Sequence, residues 1–137
     1  MVTMKTLYLI NFSLMEKIAD KKNGITTEDA AAYITGVEIF FICLMGEFVL
    51  MRILPFKLNN IVVYGTMAIV WYFTHYVLRK SLKKTITDLG IRKIYKELDK
   101  SKQKSYLILS ILIFFAIFFT FFTIGALTIY NYDKRWL

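Results

Sequence analysis

The sequence predicts an all-α integral membrane protein with three transmembrane helices, and three observations carry that expectation. Of its 137 residues, 57% are hydrophobic and 17% aromatic, and the mean hydropathy is +0.51. Three stretches are apolar for long enough to cross a bilayer, which takes roughly 20 residues at about 1.5 Å each through about 30 Å of hydrocarbon. The charges are gathered into blocks instead of being spread along helix faces, as they would be in a water-soluble domain. Together these exclude a disordered chain, a coiled coil and an ordinary water-soluble globule.

Residues 1–35 precede the first span. Leu7, Ile10, Leu14 and Ile18 recur at spacings of three and four, with Lys5, Glu16, Lys17 and Asp20 between them. That pattern predicts an amphipathic helix lying in the membrane interface or against the bundle. It is not a cleavable signal, because Asn11 and Ser13 interrupt the apolar run and no small-residue cleavage site follows. Lys21-Lys22-Asn23-Gly24 ends the helix. Thr26, with Asp29 three positions later, then has the form of a capping box for one long helix from about Thr27 to Leu54.

The first span covers residues 36–54 and the second 60–78. Between them lie only residues 55–59, Pro55-Phe56-Lys57-Leu58-Asn59, so the two spans form an antiparallel hairpin. Pro55 has no amide hydrogen to donate and cannot continue the helix, while Asn59 or Asn60 can cap the next one. The third span, 106–130, carries no charge. Residues 131–137 form the tail beyond it.

Residues 79–105 connect the second and third spans. They hold ten basic residues against three acidic ones, Asp88, Glu97 and Asp99, a net of +7 out of the chain's +8. Lys83, Lys84, Arg92, Lys93, Lys96 and Lys100 are its candidate surface for anionic lipid headgroups or a soluble acidic partner. Leu82, Ile86 and Leu89, then Ile91, Ile94 and Leu98, mark two apolar stripes with a bend at Gly90. By the positive-inside rule this basic helical connector and the N-terminus are cytoplasmic, and the C-terminus is outside. Nucleic-acid binding is not expected, because Tyr95 is the connector's single aromatic residue and no recognition motif accompanies the charge.

Few side chains within the spans can carry chemistry. An ionisable group at the centre of a span costs on the order of 2.5–3.5 kcal/mol on insertion scales, so each one needs a reason. Glu47 lies eleven residues after Gly36, close to mid-depth. Glu38 and His75 lie near the cytoplasmic ends of their spans, at matching distances from the turn, so a Glu38–His75 hydrogen bond is geometrically open. By the same measure Glu47 comes level with Met67, within reach of Thr66 and Tyr64. The two glutamates are nine positions apart, and nine steps of about 100° leave them on opposite faces of one helix.

Catalysis fits poorly. The chain has one histidine and one cysteine, Cys43, and no HExxH, GxSxG, phosphate-loop or GxGxxG signature. No cofactor or metal is expected. The reading that follows is a small non-enzymatic membrane protein, an oligomerising subunit or adaptor that is either a homo-oligomer or part of a membrane complex. The alternatives are a self-assembling pore or membrane-disrupting effector, with Glu47 and the threonines Thr66, Thr120 and Thr123 facing a lumen, and an ion- or proton-coupled transporter component.

Overall fold

The Thr26 hydroxyl accepts a hydrogen bond from the Asp29 amide at 3.2 Å, and Glu28 and Asp29 place negative charge on the first turn that follows. From this cap, α2 runs unbroken from Thr27 to Ile53. Its 27 residues give a length of about 40 Å, longer than the hydrocarbon core by about 10 Å. Leu54 is extended, with ψ 134°, as the residue before a proline must be.

A computed structural model describes residues 4–19, 24–54 and 59–136. The Pro55–Lys57 turn and the Lys21–Asn23 helix stop expected from the sequence lie outside these residues. All regular structure among the described residues is helical, and three helices are long and apolar enough to cross a membrane.

Before α2 comes α1 (Met4–Ile18). After it come α3 (Asn60–Tyr72), a π-helical stretch (Phe73–Leu78), α4 (Arg79–Asp88), α5 (Ile91–Glu97) and α6 (Lys100–Trp136). The Asn59 side chain caps α3 by accepting from the Ile61 amide at 2.9 Å. From Asn60 the backbone continues without a break into α4. Gly90, at φ +61°, then makes the bend into α5 in a conformation that other residues adopt only under strain. The Gln103 side chain donates to the carbonyls of Tyr95 and Leu98, both at 3.0 Å, closing the end of α5.

Ring contacts fix the helix directions. Phe41 meets Phe118 and Phe121, and Phe48 meets Phe121. Further along, Gly125 approaches Phe48 so closely that an added Cβ would lie 3.1 Å from the ring. The two helices α2 and α6 are therefore parallel. Thr66 of α3 bonds Glu47, and the Thr74 carbonyl lies near Gly36, so the α3 rod runs antiparallel to α2.

Burial is uneven. The larger cluster gathers Tyr8, Phe12 and Met15 of α1, Ala31 and Ala32 of α2, Leu82 and Ile86 of α4, and Ile91 and Tyr95 of α5. It sits at the end of the bundle that carries the connector cations. A second, smaller cluster of Phe48, Met51 and Val63 lies toward the opposite end. Elsewhere the apolar helices are bare: Ile61 is 78% exposed and Phe119 63%.

The first helix differs from its sequence pattern. Ile18, placed on the expected apolar stripe, is exposed, whereas every residue from Tyr8 to Ser13 is buried. A one-faced helix rests on a surface; α1 is instead enclosed on several sides by α2, α5 and α6. The stripe alone does not reveal this, because the buried faces also carry the polar Asn11 and Ser13.

Candidate functional site

Asn11 is fully buried, and its amide joins three helices. Its Nδ2 donates to Thr35 Oγ1 at 3.0 Å and to Glu38 Oε2 at 2.6 Å, while its Oδ1 accepts from Ser110 Oγ at 3.2 Å. Thr35 in turn donates to the Ala31 carbonyl, one helical turn back. Glu38 is 3% exposed, and its second oxygen has no hydrogen-bond partner among the described residues. A buried polar group without partners costs free energy, so the Asn11 amide is what makes a carboxyl tolerable here.

This network also sets the depth of α1. Thr27 Oγ1 donates to Glu16 Oε2 at 2.7 Å, so Glu16 stands beside the start of α2 and Asn11 beside Thr35 and Glu38. The helix is antiparallel to α2. Met4, seven residues before Asn11, reaches about 10 Å further along the long helices. It is thus a short helix inserted among longer ones.

The Glu38–His75 bond left open by the sequence is not formed, because Glu38 points to α1 and His75 to the other side of α2. His75 stacks on Trp71, with ring centroids 5.2 Å apart and planes 8° apart, and meets the Tyr33 ring edge-on at 5.6 Å. The Arg79 guanidinium lies 5.3 Å above the Tyr33 ring and 3.3 Å from Asp29. These groups border a groove of about 200 Å³. In an α-helix, positions eight apart stand about 80° apart around the axis. The π-helical stretch, with more residues per turn, draws Trp71 and Arg79 toward one side.

Glu47 and Thr66 do meet: the Thr66 hydroxyl donates to Glu47 Oε1 and also to the Val63 carbonyl. The pair sits on the wall of an open, mostly apolar groove of about 720 Å³ between α2 and α3, with Cys43, Leu50 and Val62 close by. Glu38 and Glu47 face different helices, and no described side chain connects them.

On the connector, the cations divide into two groups. Arg92 pairs with Glu28 at 2.7 Å, and Lys83 lies 3.7 Å from Asp29; with Arg79 they fasten α4 and α5 to the start of α2. Lys84, Lys93, Lys96 and Lys100 are exposed. Beside them Tyr95 is buried against Phe12, with ring centroids 5.4 Å apart. Burial raises its phenol above the ordinary value of 10.0, and the Glu16 carboxylate raises it further.

The sequence singled out Glu38, Glu47, Thr66, His75 and the cations. It missed Asn11, Thr35 and Ser110, and with them the hydrogen bonds that seat α1 among its neighbours. The available signal was Asn11 itself, an amide inside an apolar run. No group of three or more His, Cys, Asp or Glu residues suited to a metal ion occurs among the described residues. No family model, curated protein or solved structure matches the chain.

Proposed function

We propose that the chain is a small, non-enzymatic, multi-pass membrane protein that works as an oligomerising subunit or adaptor. Its N-terminus and residues 79–105 are cytoplasmic, its C-terminus is outside, and its basic surface meets anionic lipid or a soluble partner. The observation that carries this reading is the position of the packing. The main core lies at the cation-bearing end, where water drives apolar burial, and the faces of α3 and α6 are left bare. Between apolar spans there is little hydrophobic driving force, because lipid tails solvate Leu and Phe well. Those faces therefore suit lipid or another span, and the packed end presents Lys84, Lys93, Lys96 and Lys100. In mild detergent the protein is expected to run above the 16.1 kDa of one chain or to bring a companion chain with it. A strictly monomeric, unaccompanied particle overturns the reading.

One observation favours the self-assembling pore as a second reading: the Glu47–Thr66 pair lines an open groove at mid-depth. Glu47→Gln is then expected to abolish conductance in planar bilayers while leaving assembly intact. Wild-type protein that assembles and never conducts removes the pore. The transporter reading has less behind it, because the two intramembrane carboxylates share no path.

A further inference from the structure

The groove at Tyr33, Trp71, His75 and Arg79 has a polarity gradient. Arg79 and Tyr33 stand at its mouth, near the cation-bearing end. His75 follows one turn deeper and Trp71 another turn beyond, and Phe40 and Phe41 of α2 form the far wall. On the membrane reading this sequence of side chains matches the headgroup-to-acyl boundary, where tryptophan and tyrosine rings gather.

Charge at the mouth is positive and held in place. Arg79 and Lys83 share the single carboxylate of Asp29, at 3.3 and 3.7 Å, which leaves one positive charge in surplus, and Lys80 lies exposed next to them. The ion pair to Asp29 and the Tyr33 face fix the guanidinium plane. Arg79 has five N–H donors, so the Asp29 contact does not exhaust them, and the residue lines the groove. A planar, preorganised guanidinium is suited to a phosphate diester, and a phosphate bound there gains charge-assisted hydrogen bonds. At about 200 Å³ and open along one side, the groove admits a headgroup and lets the chains lie outward over the phenylalanines.

We propose that this groove binds one anionic phospholipid, its phosphate at Arg79 and His75 and an acyl chain laid over Phe40 and Phe41. The proposal rests on the membrane-subunit reading above and adds a defined, saturable site to the diffuse attraction of the connector.

The test uses full-length protein carrying Trp136→Phe, so that Trp71 is the single tryptophan reporter. Delipidated protein in mild detergent is titrated with phosphatidylglycerol, phosphatidylcholine and inorganic phosphate. Saturable quenching by phosphatidylglycerol is expected, with phosphatidylcholine and inorganic phosphate each weaker by about tenfold, the worth of one charge-assisted contact. Arg79→Ala is expected to lose that preference, Arg79→Lys to keep part of it, and Lys102→Ala to leave it unchanged. His75→Ala, which breaks no ion pair, provides a second variant and is expected to weaken binding several-fold with helicity intact.

Equal binding of the two lipids overturns the proposal, as does an Arg79→Ala protein that still discriminates, or inorganic phosphate that matches the lipid. Carbonate washing of reconstituted vesicles separates the two levels. Protein that stays in the vesicles without saturable lipid binding overturns the site alone. Protein stripped from them overturns the membrane reading together with the site.

Discussion

Asn11 uses three of its hydrogen-bonding positions, on Thr35, Glu38 and Ser110. Asn11→Leu replaces it with a side chain of similar size and leaves Glu38 Oε2 without this donor. The change is expected to lower stability by about 1–2 kcal/mol, read as the midpoint of thermal unfolding in detergent. Ser110→Ala, which removes a longer bond between neutral groups, is expected to cost less. A leucine variant as stable as the parent would show that the network contributes nothing. At this scale the sequence was half legible. Glu38 and Glu47 stood out because charge is rare in an apolar run, and Thr66, which bonds Glu47, lay one residue from the position matched to it. Distance from the turn gives the height of a residue, however, and not the direction in which it points. Glu38 and His75 stand at similar heights on opposite sides of α2, so matching depth alone joined the wrong pair.

At the scale of elements, Gly90 and Tyr95 each support the connector in a way that can be measured. Gly90→Ala places a Cβ at φ +61° and is expected to cost about 1 kcal/mol, seen as faster amide exchange in α4 and α5. The Tyr95 phenol is raised in the folded chain, so folding favours its protonated form. Its contribution is fully present below the unfolded value of 10.0 and is lost as pH rises through the folded value. Tyr95→Phe is therefore expected to flatten the fall in stability above about pH 10, measured against the parent because lysines titrate in the same range. Helix ends were the most legible feature. The Thr26 and Asn59 caps and the Gly90 bend rest on local chemistry that a short window of sequence contains. The π-helical stretch was not legible, since no single residue in Phe73–Leu78 demands it. Helix α1 was legible as a helix against the bundle, but its enclosure on several sides was not, because those partners lie far along the chain.

For the whole molecule, three helices long and apolar enough to cross a membrane and the basic segment between the last two followed from composition and charge, while the concentration of the core at one end did not. That core depends on α1, α4 and α5 meeting, a tertiary fact with no local signature. Orientation is open to a direct measurement. With Cys43→Ser as background, Lys93→Cys is expected to react with a membrane-impermeant maleimide in inverted vesicles and to resist it in intact cells. Labelling from outside would reverse the assigned sidedness.

The hydroxyl that donates to Asn11 lies 99 residues downstream, on a helix that leaves the ribosome long after α1. The slot for α1 therefore lacks a wall while the chain is being made. Until α6 arrives, α1 is expected to lie open to chaperones and proteases. A nascent chain arrested before Ser110 should leave α1 open to cleavage, and release of the remaining span should close it.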